Sequence, residues 1–144
     1  MTEREAMIEA IDLCKHYGSF AAIDNLTFTI RRGEVVAFLG PNGAGKSTTM
    51  KVLTGYLAPT SGTARLCGID VVQDRVRAAE KLGYLPENGP LYPEMTAREL
   101  LTFFGQARGM SGSRIAERLD YVTQECDLHE LLDKPIGTCS KGQK

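Results

Sequence analysis

The chain has 144 residues, 42% hydrophobic and 24% charged, with a formal net charge of −1. That length and balance suit one domain at most, and they exclude a basic nucleic-acid-binding field or an acidic solvating tail. A local anion site stays open, since it needs only oriented backbone N–H groups and one or two cations.

Cys14, Cys67, Cys126 and Cys139 form no CxxC pair and are joined only by His16 and His129, so no zinc site is expected. The opening MTEREAMIEA lacks the apolar core of a signal peptide, and no apolar run approaches the roughly 18 residues of a membrane span. A cytosolic protein with reduced thiols is the expectation.

Along the chain, β-structure comes first. In residues 25–30, NLTFTI, apolar and polar side chains alternate as on a half-buried antiparallel strand, and Ile11 and Leu13 flank Asp12 in a weaker version. Arg31-Arg32-Gly33-Glu34 predicts a turn. Residues 35–39, VVAFL, form a continuous apolar run that predicts a strand buried on both faces and closed by Gly40.

Residues 46–53 predict a helix stopped near Gly55. Residues 63–66 predict a short strand turning at Cys67-Gly68, residues 75–81 a short helix, and residues 82–85 a short strand ended by Pro86. Thr96-Ala97-Arg98-Glu99 fits a capping box, and the helix it opens carries Leu100, Phe103, Phe104 and Ala107 as an apolar face. Gly109 and Gly112 break that helix. Ile115, Leu119, Val122 and Cys126 stripe a second one, and residues 128–132 predict a short third.

One motif carries chemistry. Gly40-Pro41-Asn42-Gly43-Ala44-Gly45-Lys46-Ser47 matches G-x-x-x-x-G-K-[ST], the phosphate-binding loop. Wrapping a polyphosphate in successive backbone N–H groups needs positive φ and no obstructing Cβ, which Gly40, Gly43 and Gly45 supply. The helix that follows turns its N-terminal dipole toward the anion. Lys46 would reach the β- and γ-phosphates, and the Ser47 hydroxyl would complete a Mg²⁺ shell.

Such loops serve many tasks, but the surrounding wording is specific. GPNGAGKSTTM, with Pro41 and Asn42 inside the loop and Thr48-Thr49 after Ser47, resembles the phosphate loop of ABC-type ATPases. DLCKHYGSFAAIDNLTFTIRRGEVVAFLG resembles that family's N-terminal β-subdomain, in which a Tyr before a Gly stacks on adenine; here that is Tyr17. LGYLPENGPLYPEMTARELL resembles the segment that carries the family's Q-loop. Its usual Gln falls on Glu87, a departure that offers a carboxylate in place of an amide for Mg²⁺ and the attacking water.

The wording PENGPLYPEMT is similar to that of bacterial exporters linked to drug efflux and gliding motility. Cys139-Ser140-Lys141-Gly142-Gln143 resembles the LSGGQ signature. Cys139 stands for Leu and Lys141 for Gly, while Ser140 and Gly142 are kept.

The resemblance implies an α/β P-loop NTPase with a RecA-like core, incomplete here, an N-terminal antiparallel β-subdomain and an α-helical subdomain. It implies a partial nucleotide-binding domain over residues 1–144. Residues 1–85 hold the β-subdomain and P-loop core, 86–95 the Q-loop region, 96–139 the helical subdomain and 139–144 the start of the signature helix.

The implied ligands are ATP and Mg²⁺. Lys46, Ser47 and Glu87 would act in catalysis, and Ser47 and Glu87 at the metal. Tyr17, Gly40, Pro41, Asn42, Gly43, Ala44, Gly45, Lys46, Ser47, Thr48, Ser140, Gly142 and Gln143 would hold nucleotide. The implied partners are a transmembrane permease and a second nucleotide-binding domain in a head-to-tail dimer, with no nucleic acid. The implied place is cytoplasmic, at the inner face of the cell membrane.

No apolar run ends in Asp-Glu, and no His follows the signature. The chain is therefore expected to be a truncated or partial domain, poorly stable and hydrolytically dead alone. A soluble ABC ATPase of DNA repair or translation fits less well, because such proteins carry tandem domains or large insertions. A third reading is a non-enzymatic remnant.

Overall fold

The structure is a computed structural model that describes residues 5–86, 91–140, 142 and 143. It divides into two compact units, Met1–Leu85 and Pro86–Lys144.

The first unit is organised around a hairpin. β1 (Ala6–Tyr17) and β2 (Phe20–Arg31) pair antiparallel, β3 (Ser61–Leu66) pairs with the other side of β1, and the short β4 (Ile69–Asp70) pairs with β3. The sheet order is β2-β1-β3-β4. The alternation expected for residues 25–30 is present, with Leu26, Phe28 and Ile30 half-buried between exposed neighbours. Cys67 and Gly68 both take positive φ, 49° and 76°, the mirror-image turn that matches strand twist in a two-residue hairpin.

β1 is irregular between Ala10 and Leu13. Asp12 takes φ 48°, its N–H donates to Thr27 Oγ1 at 2.9 Å, and the Thr27 hydroxyl donates to Asp12 Oδ1 at 3.1 Å. A side-chain pair thus replaces the ladder bonds that the bulge removes.

On this sheet lies α1 (Lys46–Leu53), which contacts β1, β2 and β3. Its buried Thr49, Val52 and Leu53 join Ala10, Leu13, Ile23, Ala64, Leu66, Val71 and Ala78 in the core. Gly55, at φ 70°, follows its C-cap and donates to the Val52 carbonyl, as expected of a glycine closing a helix. α2 (Arg75–Glu80) begins at Asp74, whose carboxylate accepts the Arg77 N–H.

Two expected strands are not formed. Residues 35–39 and 82–85 have no ladder partner; Val35 is 100% exposed, Leu39 90% and Leu85 80%. An apolar run becomes a strand only beside a neighbour that takes its N–H and C=O groups, and no described segment offers one. Phe38 and Leu82 turn inward against the core, Phe38 meeting Phe28 edge-to-face with ring centroids 5.4 Å apart.

The second unit is a helical pair. The capping box opens α3 (Ala97–Ala107): the Thr96 N–H donates to Glu99 Oε2 at 2.8 Å and the Glu99 N–H to Thr96 Oγ1 at 3.2 Å. The apolar face, however, is turned from the one expected. Leu100 and Gly105 are buried, whereas Phe103, Phe104 and Ala107 are exposed.

Gly105 causes the rotation. It lets α4 (Gly112–Glu125) approach so closely that a Cβ there would lie 2.9 Å from Ile115 Cγ1. Along α4, Ile115, Leu119 and Val122 face inward as expected; Cys126 is the C-cap, outside the helix and exposed, and Thr123 is buried instead. Residues 128–132 form turns rather than a third helix, closed by Leu131 and Leu132 N–H bonds to the Leu128 carbonyl.

Candidate nucleotide site

Residues 40–48 leave the exposed run 35–39 and enter α1. Gly40, Gly43 and Gly45 hold φ of 151°, 87° and 81°, and no side chain caps the helix. A Cβ on Gly45 would collide with the Ala22 carbonyl of β2, so glycine is required there by space as well as by φ. The first intrahelical bond runs from the Thr49 N–H to the Gly45 carbonyl at 2.8 Å. The N–H groups of Lys46, Ser47 and Thr48 precede it, at the positive end of the helix dipole. No acidic residue occupies that first turn to compete for them.

Lys46 is folded over its own loop. Its Nζ donates to the Gly40 carbonyl at 2.6 Å and the Pro41 carbonyl at 2.7 Å. An ammonium has three N–H donors, so two hold the loop's shape and one stays available to an anion. The Ala44 N–H donates to the Pro41 carbonyl at 3.3 Å, tightening the turn around exposed Asn42 and Gly43. Ser47 is exposed beside Lys46, and Thr48 is half-buried. The loop fits a polyphosphate: three positions without a Cβ, a helix N-terminus without an acid, and a cation with two of its three donors engaged.

Tyr17 ends β1, 51% exposed, across the hairpin from Phe20. Lys15 Nζ lies 5.4 Å from the centroid of its ring. Sequence reasoning missed Lys15, although a spacing of two on a strand puts side chains on one face.

In the helical unit, the Ser140 N–H donates to the Gln143 side-chain oxygen at 2.9 Å, and the Gln143 N–H donates to the Ser140 carbonyl at 3.1 Å. Ser140, Gly142 and Gln143 are exposed. These residues form a turn in which Gln143 closes onto Ser140, half of the reciprocal bonding that starts a helix. Glu87 and Lys141 lie outside the described residues. Among the described residues, no group of three or more His, Cys, Asp or Glu side chains could hold a metal, and no helix is long and apolar enough to cross a membrane.

A phosphate loop entering a helix that packs on an antiparallel sheet, in a chain whose second unit is a helical pair, defines an α/β P-loop protein. Comparison with known proteins narrows the class. Residues 23–144 match the family model described as ABC transporter, and the chain belongs to that family.

It is 41% identical over 138 residues to an uncharacterized ABC transporter ATP-binding protein, YxlF, of Bacillus subtilis (strain 168), covering 96% of this chain and 45% of that protein. It is 39% identical over 141 residues to a probable multidrug ABC transporter ATP-binding protein, YbhF, of Escherichia coli (strain K12), covering 94% of this chain and 24% of that protein. A solved ATP-binding subunit of an ABC transporter superposes with a TM-score of 0.82 at 33% identity, covering 94% of this chain and 57% of that one. The chain thus spans less than half the length of both relatives.

Proposed function

We propose that this chain carries the ATP-holding part of the ATP-binding subunit of an ABC exporter. The observation that supports it most is the loop itself: three positive-φ glycines leading into an uncapped α1, with Lys46 keeping one donor free. Backbone N–H groups of the loop and of the first turn of α1 hold the phosphates, and Lys46 balances their charge. Tyr17 stacks on adenine. Pro41, Asn42 and Ala44 shape the loop, and Thr48 supports its exit.

Ser47 and Glu87 would hold Mg²⁺, which would supply positive charge to neutralise the phosphates. Glu87 would also orient the attacking water. Ser140, Gly142 and Gln143 face the nucleotide of a second subunit in a head-to-tail dimer, and a membrane permease receives the stroke at the inner face of the membrane. Export as the direction rests on the similarity to the multidrug relative and on the wording PENGPLYPEMT.

Positioning and charge stabilisation supply most of phosphoryl-transfer catalysis, and this sequence has no apolar run ending in Asp-Glu to complete them. The 144-residue chain alone therefore binds Mg-ATP without turning it over. Calorimetry should give measurable Mg-ATP binding that Lys46→Ala weakens about tenfold or more, the scale of a lost charge-assisted hydrogen bond. Equal affinity in the variant would sink the phosphate-loop reading. Phosphate release at about 1 s⁻¹ or faster, an ordinary enzyme rate, would sink the inactivity.

A further inference from the structure

Lys15 belongs to no motif, yet its side chain is held at two points near the Tyr17 end of the sheet. Its Nζ donates to the Ala58 carbonyl at 2.9 Å and sits 5.4 Å from the Tyr17 ring centroid, within cation–π range. Ala58 lies just beyond α1, in a segment tied back to that helix by the Leu57 N–H bond to the Lys51 carbonyl at 3.0 Å. The same segment is sewn to β1 twice more. The Thr60 N–H donates to the Cys14 carbonyl at 2.8 Å, and the His16 N–H to Thr60 Oγ1 at 3.0 Å. Lys15 therefore has a fixed address, and the half-exposed ring has one face covered by a held cation.

We propose that Lys15 is a positioning residue for the nucleotide base: it occupies one face of Tyr17, holds the ring in place and leaves the opposite face as the stacking platform. The inference rests on the reading of Tyr17 and the phosphate loop given above and extends it to a residue outside both. Two effects act together. A pre-set ring loses less rotamer freedom when a base settles on it. A cation on the far face also draws π-electron density from the ring, which favours stacking of an electron-rich purine on the near face. Neither effect reaches the phosphates.

The test uses the 144-residue chain and two probes, Mg-ATP and Mg-tripolyphosphate, the second having no base. Lys15→Met keeps the apolar stem and removes the charge. It should weaken Mg-ATP binding about three- to fivefold, the range of an exposed cation–π contact, and leave tripolyphosphate binding unchanged; Lys15→Arg should restore most of the ATP affinity.

Equal loss for both probes would mean that Lys15 only supports the fold, and would overturn the inference. Unchanged or tighter ATP binding in Lys15→Met would overturn it as well, the latter by showing that the ammonium competes with the base. If the wild-type chain binds neither probe, the phosphate-loop reading fails first and this inference falls with it.

Discussion

Gly43 and Gly45 show how much of the site is decided by single residues. Their φ values are nearly equal, 87° and 81°, but a Cβ on Gly43 meets nothing within 4 Å, whereas one on Gly45 runs into the Ala22 carbonyl. Gly43→Ala therefore carries only the left-handed backbone penalty, about 1–2 kcal/mol. Gly45→Ala adds a backbone collision that cannot relax without separating α1 from β2. Urea unfolding should place Gly45→Ala well below Gly43→Ala in midpoint; equal midpoints would contradict the close approach.

The motif was legible because its chemistry is local: spacing alone gives glycines, cation and hydroxyl. The Ala22 carbonyl was not, because it meets Gly45 across a stretch of chain that the linear string keeps apart; Lys15 has its ring two residues on, but the Ala58 carbonyl that anchors it is distant in sequence. Glu87 remains an expectation from resemblance alone.

Among the elements, the starts of α1, α2 and α3 are legible in the sequence, whereas the short helix expected over 128–132 is not formed and the face of α3 differs. Thr96 and Glu99 advertise their cap in sequence because both bonds lie within four residues. The face of α3 depends instead on what packs against it, and Gly105 opposite Ile115 outweighed the aromatic pair. Gly105→Ala sets two effects against each other: helix propensity gains about 1 kcal/mol, while overpacking costs about 1–3 kcal/mol. With Ile115 Cγ1 2.9 Å and Cδ1 3.2 Å from the new methyl, crowding should win, and Ile115→Val, which removes Cδ1, should recover part of the loss in a double-mutant cycle followed by thermal unfolding.

The same unit holds a two-pronged ion pair, Arg98 Nε to Asp133 Oδ1 at 2.6 Å and Nη2 to Oδ2 at 3.0 Å. The Arg98 hydrogen bond holds the Asp133 carboxyl below its ordinary range. A depressed carboxyl contributes stability above its unfolded value and loses it as pH falls through the folded one. The stability gap between wild type and Asp133→Asn should therefore exist at neutral pH and close on acidification. It should also shrink in high salt, because both side chains are exposed. A gap independent of pH would assign the effect to packing.

At the scale of the whole molecule, the clearest departure from expectation is the run 35–39. Periodicity sees that VVAFL is apolar; it cannot see whether a neighbouring strand is there to receive its backbone. With Val35, Leu39 and Leu85 turned to solvent, the 144-residue chain should self-associate as its concentration rises. Sedimentation velocity should show that growth, and Val35→Lys combined with Leu85→Lys should suppress it. A chain that stays monomeric at high concentration would show these positions to be harmless.

α1 has two ends with different neighbours: its N-terminus opens on the phosphate loop, while Thr49, Val52 and Leu53 sit in the core shared with β1, β2 and β3. A ligand that holds the first turn of α1 therefore favours the state in which the last turn is seated on the sheet. By mass action, binding to that state alone raises stability by RT ln(1 + [L]/Kd), about 2.7 kcal/mol at a hundredfold excess over Kd. On the proposed reading nucleotide would be linked to folding itself, and local ATP concentration would be one of the terms that decide how much of this sheet is assembled at any moment.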